Sequence, residues 1–99
     1  MIVATGHVGI APESIKKARP HVRAVLAGTR PEPGCILYTF AEDVLEPGTT
    51  RIVERWRDWP SLEAHDRAGH VVAWRAALKG IGVIDREVIA PEAGAERRL

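Results

Sequence analysis

The chain has a single cysteine, Cys35, so no internal disulfide can form. A lone thiol fits a reducing compartment. Cys35 lies in the apolar run Cys35-Ile36-Leu37-Tyr38 and reads as a small buried hydrophobe rather than a nucleophile. No stretch approaches the ~20 apolar residues that a membrane helix needs. The first residues carry neither the basic segment nor the apolar run of a secretory leader, so a cytoplasmic protein with no membrane partner is expected. Net charge is only +1, and no basic cluster with interleaved aromatics occurs, which removes the electrostatic case for nucleic acid. A glycine-rich phosphate loop is also missing, because Gly80 and Gly82 close a helical stretch instead of opening one. The histidines at 7, 21, 65 and 70 show no paired ligand spacing with cysteine. His65 and His70 are five apart and fall on different faces of a continuous helix. Neither a metal nor a cofactor is expected.

What remains is an ordinary globular composition, 45% hydrophobic and 27% charged over 99 residues, which implies one domain. Ile2 to Ile10 reads as a strand from its β-branched content, with Gly6 and Gly9 marking a bulge or a close backbone approach. Pro12 and Glu13 suit the opening of a helix, and Ile15, Ala18, Val22, Val25 and Leu26 then recur at helical spacing. Pro20 should kink that helix or cost it a hydrogen bond, and Gly28 is placed as its C-cap. Residues 29–34 form a loop with two prolines. Cys35 to Ala41 and Thr49 to Arg57 form a hairpin across the turn Leu45-Glu46-Pro47-Gly48. In its second strand Thr50, Ile52, Glu54 and Trp56 share one face. Asp58 is placed to cap a helix that opens at Trp59-Pro60 and is interrupted near Gly69. Val71, Trp74 and Leu78 define a further helical stretch, and Ile81 to Ala90 the last strand. The expected domain is residues 1–91, with residues 92–99 a frayed polar tail.

The order β-α-β-β-α-β predicts an α+β, ferredoxin-like fold: an antiparallel sheet with helices on one face. The bare second face calls for a cover, and a second copy of the chain can supply it as a homodimer.

Four segments in sequence, Gly34-Cys35-Ile36-Leu37-Tyr38, Glu54-Arg55-Trp56, Ser61-Leu62-Glu63-Ala64-His65 and Gly69-His70, resemble the antibiotic biosynthesis monooxygenase family. The resemblance covers about residues 2 to 90. It implies a dimeric α+β barrel with a pocket between sheet and helices in each subunit. It also implies oxidation of a quinol or phenol by O₂ without metal or flavin. Haem-degrading relatives of this fold look similar but carry Trp where His65 stands and a ligating His where Arg75 stands. Both positions depart here, so haem chemistry is not expected.

Glu54 and His65 are the candidate catalytic pair. Glu54 sits on an otherwise apolar strand face, and His65 lies on the Leu62 side of the helix that covers it. A carboxylate there needs a partner, so a hydrogen bond of roughly 2.6–3.2 Å to His65 is expected. Such a pair can accept a phenolic proton, or it can simply satisfy itself in a buried contact. Trp56, Tyr38, Trp74 and His7 are the candidate substrate-binding residues, the tryptophans as stacking surfaces of a kind that more commonly packs a core, Tyr38 as a hydroxyl donor or a barrel-lining core residue. Three functions stay open. The first is a cofactor-independent monooxygenase on a small aromatic substrate. The others are a non-enzymatic ligand-binding or stress-related barrel, and an isomerase or cyclase on the same scaffold.

Overall fold

The computed structural model describes residues 1–99. The strands are β1 (Ile2–Ile10), β2 (Cys35–Glu42), β3 (Thr49–Trp56) and β4 (Val83–Ile89); the helices are α1 (Ile15–Thr29), α2 (Trp59–Arg67) and α3 (Gly69–Ile81). The sheet order is β2-β3-β1-β4 and every pairing is antiparallel. This is the ferredoxin-like arrangement, in which each helix crosses between two strands that have a third between them.

Alternation along the strands sorts residues between the two sheet faces. Ile2, Ala4, Val8 and Ile10 of β1 and Ile52, Glu54 and Trp56 of β3 are buried beneath the helices. Ala18 and Val25 of α1 and Val71, Trp74 and Leu78 of α3 pack against them as one core. Thr5, Arg51 and Arg55, on the opposite face, are exposed.

Several local features explain where the elements begin and end. Asp58 accepts from the Ser61 hydroxyl at 2.6 Å and caps α2 by accepting from the Ser61 backbone N–H at 2.9 Å, and these bonds hold its carboxyl down at about 2. Gly82, at φ +91°, ends α3 in the left-handed region where a side chain would be strained. Pro20 lies on the exposed side of α1 and leaves the Lys16 carbonyl without its helical donor, yet the helix runs unbroken from Ile15 to Thr29. Gly28 is therefore not a C-cap. It lies inside the last turn, where a Cβ would sit 2.6 Å from the ring of His70. The break between α2 and α3 falls at Ala68, whose extended backbone (φ −67°, ψ 144°) ends one helix and starts the next.

Backbone pairing continues past Pro91, since the Ala93 N–H donates to the Met1 carbonyl at 2.8 Å. Residues 94–99 have no regular structure and are exposed.

Gly6 is where β4 comes closest to β1. A Cβ there would lie 2.6 Å from Val88 Cα and closer still to the Glu87 carbonyl oxygen. Both are backbone atoms and cannot swing aside. Gly6→Ala should push β4 off β1 and cost about 1–3 kcal/mol, read by urea denaturation. A midpoint equal to that of the parent would show that the strands do not approach so closely.

Candidate active site

The site is built where three segments meet. The loop between α1 and β2 carries Glu32 between Pro31 and Pro33. Its backbone is tied at both ends of the turn, the Glu32 N–H donating to Thr29 O at 2.9 Å and the Cys35 N–H to Glu32 O at 3.1 Å. Two fixed φ angles and two hydrogen bonds aim this carboxylate at the helices.

His65 ends α2, and His70 opens α3. On a continuous helix residues five apart diverge. The extended residue Ala68 resets the direction, and both imidazoles reach one oxygen. His65 Nδ1 lies 2.7 Å, and His70 Nε2 2.9 Å, from Glu32 Oε2. Gly28 leaves the space that the His70 ring needs.

The expected Glu54–His65 hydrogen bond is not formed. His65 Nε2 stands 4.0 Å from Glu54 Oε1. Glu54 Oε1 instead accepts from the indole N–H of Trp56 at 2.9 Å, while the other side of His65 is held by Glu32. A partner on the same strand face competes better for the carboxylate than one across the layer, because β3 fixes both residues. The pair still faces one space. Both residues line a cavity of about 240 Å³, along with Ala4, Tyr38, Phe40 and Trp74.

Of the other candidates, Tyr38 and Trp74 line this cavity, and Phe40 bridges them, with centroids 5.3 Å from Tyr38 and 5.7 Å from Trp74. Trp56 does not line it. It is 0% exposed and supports the site from behind, its ring 4.7 Å from that of His65. His7 belongs to the opposite sheet face, where Nε2 lies 2.8 Å from Asp85 Oδ2. The register leaves no doubt, since His7 pairs with Arg51 and not with an inward residue.

Three functional candidates escaped the sequence reading. Glu32 looked like part of a loop, and His70 like a helix start. Arg86 comes from β4 to line the cavity. The Pro-Glu-Pro run was the one available signal for Glu32, because prolines on both sides make a carboxylate's position costly to leave to chance.

Electrostatics follow burial. Desolvation pushes the Glu54 carboxyl above its ordinary range, with the Trp56 hydrogen bond and the neighbouring His65 working in the opposite direction. Burial likewise pushes the Tyr38 phenol up, with Glu54 adding to the effect.

The family model for antibiotic biosynthesis monooxygenase matches residues 1–77. The chain belongs to the antibiotic biosynthesis monooxygenase family. Family membership accords with the crystal structure of a "putative antibiotic biosynthesis monooxygenase" from Deinococcus radiodurans, which is 29% identical with a TM-score of 0.94 over 100% of this chain and 98% of that one. "Putative monooxygenase YcnE" of Bacillus subtilis is 24% identical over 92 residues, 93% of this chain and 97% of that protein. "Uncharacterized protein sll1783" of Synechocystis is 31% identical over 64 residues, 65% of this chain, and the match spans 44% of that protein's length. As a family member this chain has a monooxygenase-like scaffold, and no helix is long and apolar enough to cross a membrane.

Because burial raises the Glu54 pKa, folding stability depends on pH. The unfolded carboxyl loses its proton near pH 4.3, whereas the folded one holds it to higher pH. Between these values the folded state binds more protons, so stability falls as pH rises through the window and stays lower above it. Glu54→Gln keeps an oxygen for the Trp56 indole and removes the buried charge. Its melting temperature should exceed that of the parent at pH 7, with the gap closing near pH 4. A variant that melts lower at pH 7 would mean that His65 and Arg86 overcompensate the burial.

Proposed function

We propose that this family member is a cofactor-independent monooxygenase that oxidises a single-ring aromatic quinol or phenol with O₂. The observation that carries the reading is the 4.0 Å gap between His65 Nε2 and Glu54 Oε1 at an aromatic-lined cavity. A substrate hydroxyl set off the line between them can reach both atoms at about 2.8 Å. Glu32 accepts from Nδ1–H of His65 and so leaves the Nε2 lone pair free toward that hydroxyl. His65 is then the proton acceptor, and Glu54 orients the hydroxyl. Glu32 holds the tautomer. Tyr38, Phe40 and Trp74 offer ring faces, and Arg86 brings a positive charge to the phenolate that results.

The reaction balances without a reductant. Deprotonated substrate gives electrons to O₂, and a C–O bond forms at ring carbon. The peroxide is protonated, the O–O bond breaks, and water leaves, so a quinol and O₂ give a hydroxyquinone and water. The size fits too: about 150 Å³ suffices for benzene, so 240 Å³ admits one substituted ring. A polycycle would need more room.

Oxygen uptake with a panel of hydroquinones is the direct test. At least one single-ring quinol should be consumed one-for-one with O₂, and His65→Gln should lower kcat by about 10²–10⁴-fold. Binding of the panel with no oxygen uptake would instead favour the isomerase or binding-protein readings.

We also propose a homodimer through the sheet face that the helices leave bare, and a cytoplasmic setting, which suits the free Cys35 thiol. Val3 and Val53 lie on this face next to Ile89 of β4, which is 59% exposed. Apolar side chains among threonines and arginines suit a second copy better than water. Light scattering at micromolar concentration should give twice the 10.8 kDa chain mass. A single-chain mass would overturn the dimer.

A further inference from the structure

We propose that Glu32, His65 and His70 form a binding site for one divalent transition-metal ion of the zinc type, and that metal binding and proton acceptance by His65 exclude one another. The metal site itself rests on no step of the oxygenation reading, whereas the exclusion rests on His65 being the proton acceptor in it.

The donor set is two imidazole nitrogens and one carboxylate oxygen, and these three atoms lie within 4.8 Å of one another. Two histidines with one glutamate make a three-ligand zinc site that leaves a fourth position open. The three residues come from separate segments: a proline-flanked loop, the end of α2 and the start of α3. Nothing in helical periodicity requires them to meet. The Ala68 break, the space at Gly28 and the two prolines each serve the meeting.

The environment suits a cation. The His65 side chain is 4% exposed and that of Glu32 15%, whereas that of His70 is 27% exposed and gives a route in from solvent. Behind the site, Glu54 stands 4.0 Å from the far nitrogen of His65 and is itself held by Trp56. A carboxylate on the distal imidazole nitrogen is the usual outer support of a metal-bound histidine.

Ligand spacing must open slightly. Metal–ligand bonds of 2.0–2.2 Å at tetrahedral angles place donors roughly 3.3–3.5 Å apart. The present separations from Glu32 Oε2 are 2.7 and 2.9 Å, so the His65 imidazole must retreat by about 0.7 Å and that of His70 by about 0.5 Å. In the metal-free state Nδ1–H of His65 donates to Glu32. A metal takes the Nδ1 lone pair and displaces that proton, and the neutral ring then carries its proton on Nε2, facing Glu54. Nε2 can no longer accept from a substrate. The bound ion would therefore silence the base.

Zinc chloride titrated calorimetrically into chelator-treated protein should give one ion per chain. Glu32→Gln and His70→Gln should each weaken binding by more than about 100-fold, a loss beyond that of an outer-shell change. His7→Gln, on the other sheet face, should change nothing. In the unaltered protein, the imidazole NMR signals of His65 and His70 should shift stoichiometrically with zinc while those of His7 and His21 stay in place. This readout needs no variant to fold. No saturable binding, or zinc shifts at His7 or His21 instead, would overturn the site even if oxygen uptake is found. Where uptake is found, one equivalent of zinc should suppress it; undiminished turnover with the site filled would overturn the exclusion.

Discussion

The Glu32 carboxylate, set between two imidazoles, governs the geometry on the helical side of the sheet. It comes from a loop stiffened by two prolines, and it reaches one histidine at the end of α2 and another at the start of α3. The contact ties the two sides of the helix break together and turns the other nitrogen of His65 toward Glu54. A partly buried carboxylate gains from such partners, because short, well-directed hydrogen bonds offset the water it loses.

Behind it lies a second buried carboxylate in a different condition. Glu54 has one neutral donor, the Trp56 indole, and an imidazole too distant for a hydrogen bond. Burial outweighs both, so its proton is held more tightly than usual. A strand face otherwise made of Ile52, Trp56 and aromatic neighbours could have been filled with an apolar residue at no such cost. Retained strain of this kind at the wall of a cavity is what functional sites commonly carry. The arrangement leaves one imidazole saturated on one side by Glu32 and under-satisfied on the other by Glu54. The under-satisfied side is the one that opens on the cavity.

The fold was largely legible from local pattern. Alternation in Thr49–Trp56, the Asp58 cap, the turn at Gly48 and the β-branched run of β1 each depend on neighbours within a few residues, and each element appeared where these placed it. Ends were less secure. Gly28 looked like a helix stop because glycine so often is, but here it makes room for a ring that arrives from 42 residues away in sequence. Trp56 was read as a substrate surface because β3 alternation shows only which face a side chain takes, not whether another layer seals it.

By itself the sequence determined the strand and helix order, the antiparallel sheet, the inward face of β3 and the presence of His65 and Glu54 near one another. These follow from periodicity, which is a property of adjacent residues. Tertiary structure alone decided the partners. Glu32 lies 33 residues from His65 and 38 from His70, and its choice over Glu54 turns on distances of about an ångström. No spacing rule encodes such a choice. It depends on where three chain segments come to rest, and on the direction that the extended Ala68, beside the glycine that marks the break, gives to the second helix.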